Sequence, residues 1–189
     1  YLDKKYDIKN FKENLKVKNQ KIINADLIGE FSSNKILKLT INTINDNKIT
    51  TLYSDKAEPL AKRYKFIKGF EKGSLDFHSS KENNNSYSTL KIYDFKLKEL
   101  PVLTKLLTLA SLQGIADLLS GDGITFNEFE MNFKKNNNGM IIDEIYAIGP
   151  AISILMEGYL ENNKLISLKG TLVPATTINK AIGSIPVLG

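Results

Sequence analysis

Residues 128–148 read EFEMNFKKNNNGMIIDEIYAI. Phe129, Met131 and Phe133 alternate with Glu128, Glu130 and Asn132, the period-two pattern of a strand with one wet face. Asn136 to Gly139 forms a turn signal, because Asn and Gly tolerate positive φ. Beyond it, Ile141, Asp143, Ile145 and Ala147 are expected to face one way. Ile142, Glu144, Tyr146 and Ile148 are expected to face the other. Two alternating runs joined by a short Asn-Gly turn predict an antiparallel hairpin, and the rest of the chain extends it.

On the C-terminal side, Gly149-Pro150 breaks the strand and Ile152, Ile154 and Met156 lead into Gly158. Asn162-Asn163 turns the chain. Ile166, Leu168 and Leu172 alternate with Ser167, Lys169 and Thr171 until Pro174. Thr176 or Thr177 can cap a last short helix reaching about Ile182.

On the N-terminal side, Leu15 and Val17 alternate with lysines. Ile23, Ala25, Leu27, Gly29 and Phe31 mark a half-buried strand, then Leu37, Leu39 and Ile41 another, and Ile49 to Tyr53 a third. Asp55 can cap a short helix near 57–67, with Leu60, Tyr64 and Ile67 at helical spacing and Gly69 as its stop. Leu75 and Phe77 restore strand alternation, Asn83 to Asn85 is a hairpin loop, and Leu90 and Ile92 follow. After Tyr93-Asp94 the apolar phase slips to Phe95 and Leu97, as a β-bulge would make it do.

Between the two sets of strands lies Pro101 to Gly123, PVLTKLLTLASLQGIADLLSGDG. Leu103, Leu106, Leu107, Ala110, Gly114 and Leu118 recur at spacings of three and four, which predicts one long amphipathic helix over 101–120. Pro101 suits its first turn and Gly121-Asp122-Gly123 its end. A membrane span needs roughly 20 apolar residues, but Lys105, Gln113 and Asp117 interrupt this one. A charge at mid-bilayer costs about 2.5–3.5 kcal/mol. A core helix over a sheet and a helix that plugs, caps or lines a lipid-holding groove are the other two readings.

The expectation is a mainly β fold, an antiparallel meander of about nine or ten strands with one long and two short helices. Such strands build an open curved sheet, a sandwich or a barrel. One region of 189 residues is expected: a meander over 1–55, a short helix and hairpin over 56–100, the long helix over 101–120, a second meander over 124–174, and a short helix and end over 176–189. Tyr1 at the start and apolar Pro186 to Gly189 at the end read as a piece of a longer chain.

The net charge of +5 is spread as single lysines, and Arg63 is the sole arginine, so the clustered basic surface of a nucleic-acid binder is missing. Zero cysteines exclude disulfides and thiolate metal sites; that is compatible with an envelope compartment. The one histidine, His78, sits beside Phe77 on a predicted strand. The carboxylate pairs Glu128/Glu130 and Asp143/Glu144 read as solvated strand faces. Gly121-Asp122-Gly123 has no following GK[ST] and is too short for a phosphate loop. The parts of an enzyme are lacking, and no metal or other cofactor is expected.

Several phrases in order resemble the C-terminal region of the AsmA-like envelope proteins, AsmA/TamB-related, and the YhdP-like members most closely. They are DFKLKELPVLTKLLTLASLQGIADLLSGDGITFNEFEMNF (94–133) and IGPAISILMEGYLENNKLISLKGTLVPATTINKAIGSIPVLG (148–189). The features that carry the likeness are PVL before the helix, LASLQGI within it, GTLVPA, and the closing IPVLG. The resemblance covers 86–189; AEPLAKRYKFIKGFEKGSLDF looks like the unit before it, and 1–50 match only in style. It implies a curved, open, taco-like β-groove with an apolar inside. It also implies the periplasmic part of a protein anchored in the inner membrane, shielding phospholipid acyl chains between inner and outer membranes. The anchor is not in this sequence. An acyl chain in water costs about 25 cal/mol per Å² of exposed apolar surface, which a greasy trough removes. The candidate lining is Phe129, Met131, Phe133, Ile152, Ile154 and Met156, with Leu103, Leu106, Leu107 and Leu118 of the helix packing over or into the trough. The competing expectation is a structural or assembly role for the outer membrane without lipid carriage. Bare sheet edges are expected to drive self-association.

Overall fold

A computed structural model of the chain describes residues 7–31, 34–62, 69–98, 122–161 and 164–174. They form one ten-stranded antiparallel sheet in which every strand pairs with its sequence neighbours, from β1 to β10 in order. The strands are β1 (Ile8–Lys18), β2 (Lys21–Phe31), β3 (Lys35–Ile44), β4 (Asn47–Ser54), β5 (Phe70–Glu82), β6 (Asn85–Leu97), β7 (Ile124–Lys135), β8 (Gly139–Ile148), β9 (Ile152–Glu161) and β10 (Lys164–Pro174). β1 and β10 do not pair with each other, so the sheet is open, not a closed barrel.

The turns explain the meander. Asn19 and Gln20 both adopt positive φ, 50° and 60°, and so do Asn45 and Asp46, 48° and 63°. Two left-handed residues in a two-residue loop match the twist of the flanking strands. At the β7–β8 turn the Asn136 side chain does the work instead. Its Oδ1 accepts from the backbone N–H groups of Asn138 and Gly139, at 2.9 and 3.1 Å.

Helix is scarce among the described residues. The short helix expected near 57–67 is a single turn there, α1 (Glu58–Ala61), and Tyr64 and Ile67 lie outside the described residues. Its N-cap is Ala57 with no side-chain cap bond. Asp55 was expected in that role, but its carboxylate is taken: Oδ2 accepts from the Ile36 N–H at 2.8 Å and Oδ1 from the Tyr53 hydroxyl at 2.7 Å. The carboxylate therefore ties the end of β4 to the start of β3, and its pKa is lowered by those two bonds. The long helix over 101–120 and the last one near 176–182 fall outside the described residues. No helix among the described residues is long and apolar enough to cross a membrane.

The core sits at one end of the sheet, beside α1. Ala57 and Ala61 of α1 pack there with Phe70, Leu75, Ile92, Phe95, Ile124, Phe126, Ala147 and Ile152. Phe95 stacks on Phe70 at 5.3 Å and on Phe126 at 5.4 Å, and meets Phe129 edge-on at 6.4 Å.

The phase slip at Asp94 is present, but no bulge causes it. Pairing keeps one register through this point on both sides of β6, with Gly73, Asp94 and Asn127 left without a register partner in a line across three strands. Lys72, Gly73 and Asp94 have φ of 64°, 78° and 50°. Left-handed residues rotate β5 and β6, so Phe70 and Phe95 reach the core side although their parity opposes that of Leu75 and Ile92; on β7 the same change of side, from Phe129 to Phe126, falls at Asn127. Because neighbouring strands kink together, the ladder stays in step. Gly73 has no room for a side chain: an added Cβ would sit 2.9 Å from Phe95 Cβ and 3.0 Å from the Tyr93 carbonyl oxygen.

A real bulge lies in β8. Asn132 pairs with Glu144 but Phe133 pairs with Ile142, which leaves Asp143 as an extra residue. The facing expected for β8 is corrected accordingly: Ile142 shares a face with Ile145 and Ala147, while Ile141 is 53% exposed on the other.

Candidate functional site

Residues directly opposite in an antiparallel ladder share a face. Following the register through the sheet, Leu27, Leu39, Leu52, Phe77, Leu90, Met131, Ile145 and Met156 stand in one row, one from each of β2 to β9. The row ends in Glu13 on β1 and Gly170 on β10. At about 4.8 Å per strand the eight apolar residues extend over about 34 Å. All eight are half-buried, and none belongs to the fully buried core.

A second row of the same face lies nearer the core: Leu37, Ser54, Leu75, Ile92, Phe129, Ala147, Ile154 and Leu172. On the other side comes a mixed row of Ala25, Ile41, Thr50, Ser79, Ser88, Phe133 and Ile142. Inside it the Ser88 hydroxyl donates to Ser79 Oγ at 2.9 Å.

The opposite face is wet. Tyr53, Asp76, Lys91, Glu130 and Tyr146 form a row across β4 to β8. Lys91 Nζ lies 2.8 Å from Glu130 Oε2, and Asn132 donates to Glu130 Oε1 at 2.9 Å. Both bonds hold the Glu130 carboxyl below its ordinary pKa, and the Glu130 bond raises that of Lys91. The Tyr146 hydroxyl donates to Glu128 Oε1 at 2.6 Å, which pushes its pKa up to about 12. Exposed apolar residues on this face, such as Ile28, Ile141, Ile148 and Leu155, each lie opposite a polar partner in register. Apart from Ile141, which also meets the exposed Tyr159 on β9, they are scattered singly, as on an ordinary surface. His78 is exposed here between Thr51 and Thr89. An open depression of about 730 Å³ at the outer end of β8–β10 is lined by Asp143, Glu157 and Lys169 beside Ile141 and Tyr159. Its charged lining and breadth make it a poorer candidate than the long apolar row.

Of the residues singled out in the sequence, Phe129, Met131, Phe133, Ile154 and Met156 share the apolar face and are half-buried. Ile152 shares that face but is 0% exposed within the core cluster, so no part of it is available to a ligand. Leu103, Leu106, Leu107 and Leu118 lie outside the described residues. Leu27, Leu39, Leu52, Phe77, Leu90 and Ile145 complete the row and were not singled out. Their alternation was visible, but their alignment with Met131 and Met156 depends on register. Among the described residues no group of three or more His, Cys, Asp or Glu side chains is gathered as a metal site would be.

What this arrangement offers chemically is a continuous apolar strip on a hydrogen-bonded support, with no nucleophile or general base among the described residues at its centre. Comparison with protein-family models, with curated proteins and with solved structures finds no match for this chain.

Proposed function

We propose that this chain is part of an envelope lipid carrier of the AsmA-like kind, in which the apolar face bends into an open groove. The groove shields phospholipid acyl chains in the periplasm as they pass between inner and outer membranes. One observation carries the reading: eight apolar side chains in register on eight successive strands, none of them sealed in the core. A hydrocarbon bilayer core of about 30 Å holds two opposed tails, so a strip of about 34 Å accommodates a whole acyl chain with length to spare. Each methylene moved from water onto such a surface gains up to about 0.8 kcal/mol. No step requires a catalytic group, since the carrier changes only the surroundings of the tail.

The test is site-specific photocrosslinking in cells. A crosslinker at Met131, Ile145 or Met156 is expected to capture phospholipid, and one at Glu130 or Lys91 on the opposite face is not. Equal capture from both faces, or none from either, refutes the carrier reading. Lipid-free protein that still restores outer-membrane integrity would favour the scaffold role instead.

A further inference from the structure

One register row lies beyond the Thr50–Ser79–Ser88 row, at the short-turn end of the same face. It contains Thr43, Lys48, Lys81, Ser86 and Lys135, followed by Met140 and Leu160. Lys48 and Lys81 are directly opposite one another. Like charges in that relation destabilise a sheet. None of the three lysines forms an ion pair among the described residues. The apolar-side positions of β4 to β7, from Lys48 to Lys135, include no carboxylate. Glu82 is on the other face and Asp46 is in the β3–β4 turn. The Thr43 hydroxyl, opposite Lys48, is buried and has no hydrogen-bond partner.

Read along each strand, polarity falls in steps. β4 runs Lys48, Thr50, Leu52; β5 runs Lys81, Ser79, Phe77; β6 runs Ser86, Ser88, Leu90. From the lysine row to the apolar row is four residues, about 13 Å of strand. Charge, then hydroxyl, then hydrocarbon, as β4 and β5 carry them over that distance, is the profile of a phospholipid from phosphate through its ester linkages to its tails.

We propose that Lys48, Lys81 and Lys135 form a headgroup site that selects anionic phospholipids, with the hydroxyl row facing the ester region and the tails on the apolar row. This rests on the carrier reading and adds the headgroup class to it. The occupant follows from charge complementarity: three unbalanced cations at the mouth of an apolar strip fit a lipid with net negative charge. A zwitterionic headgroup would bring its own cation into the same place.

The experiment measures lipid extracted by the purified chain from vesicles of phosphatidylcholine alone and from vesicles containing phosphatidylglycerol. The wild type is expected to take phosphatidylglycerol in preference, less so as salt rises. The triple variant Lys48→Gln, Lys81→Gln, Lys135→Gln should lose roughly tenfold or more of that preference while extracting phosphatidylcholine unchanged. A charge-matched triple variant on the other face, Lys12→Gln, Lys16→Gln, Lys38→Gln, should keep it. Extraction of both lipids without preference, or equal losses in the two triple variants, overturns the headgroup site and leaves the carrier reading standing. Extraction of neither lipid by the wild type overturns both. Unchanged far-ultraviolet circular dichroism of each variant verifies that the sheet has formed.

Discussion

Alanine at Phe126 and at Phe133 tests whether the apolar face is open where the carrier reading needs it open. Both residues are on β7, on the same side of the sheet, at opposite ends. Phe126 is 1% exposed and stacks on Phe95 at 5.4 Å. Truncating a buried phenylalanine costs about 3–5 kcal/mol, cavity included. Phe133 is half-buried, outside the core cluster, with Ser88 and Ile142 as its register neighbours. Full burial of such a side chain is worth about 1.5–3 kcal/mol, so half-burial puts the loss for Phe133→Ala near 1–1.5 kcal/mol. The two variants should differ by about 2–3 kcal/mol. With a urea dependence of about 2 kcal/mol per molar, their midpoints separate by about 1–1.5 M. Urea titration followed by far-ultraviolet circular dichroism measures this directly. If Phe126→Ala does not fold, Phe126→Leu is the milder substitution and should still cost more than Phe133→Ala. Equal losses at the two ends would mean that Phe133 is covered in solution, and the argument for an open strip would fail.

Gly73→Ala should destabilise by at least about 1–2 kcal/mol, since φ of 78° is costly for an L side chain, and thermal unfolding will register it. Tyr146 should ionise late, at about 12, by phenolate absorbance. Its hydrogen bond to Glu128 causes this, so Glu128→Gln should return it toward the ordinary value near 10. Asp55 and Glu130 have folded pKa values below their unfolded ones. Their contribution to stability is present above the ordinary carboxylate range, near pH 4, and is lost as pH falls through the folded values. Asp55→Asn and Glu130→Gln should therefore flatten the acid limb of a stability-versus-pH curve. Without lipid, Lys81→Gln should raise stability by a few tenths of a kcal/mol, because it removes a like-charge pair; a loss would show that Lys81 makes a structural contact. The outer sides of β1 and β10 are unpaired in this sheet, so sedimentation should show association growing with concentration, and a strict monomer at high concentration would refute it.

Much of this fold is legible along the chain because a strand's alternation is local. Successive side chains point to opposite sides of an extended backbone whatever lies beside it. So Leu37, Leu39 and Ile41 announce a half-buried strand, and Asn45-Asp46 its turn. The same locality separated Glu130 from Met131. Local reasoning failed where the partner strand matters. Asp143 looks like any alternating residue, and only its pairing with β7 and β9 exposes it as the extra one that moves Ile142 across the sheet. The slip at Asp94 was visible, but its cause was not, because a kink shared with β5 and β7 leaves no local mark that distinguishes it from a bulge. Asp55 has the chemistry of a helix cap, yet Ile36, far away in sequence, offers its carboxylate a better partner.

Residue order therefore accounts for the kind of surface each strand carries, since side-chain direction follows from the backbone of that strand alone. Register belongs to pairs of strands, and it emerges only when all ten are hydrogen-bonded together. Tertiary structure is what lines up Leu39, Phe77 and Met156 into one strip. It is also what sets Lys48 against Lys81 at the end of that strip.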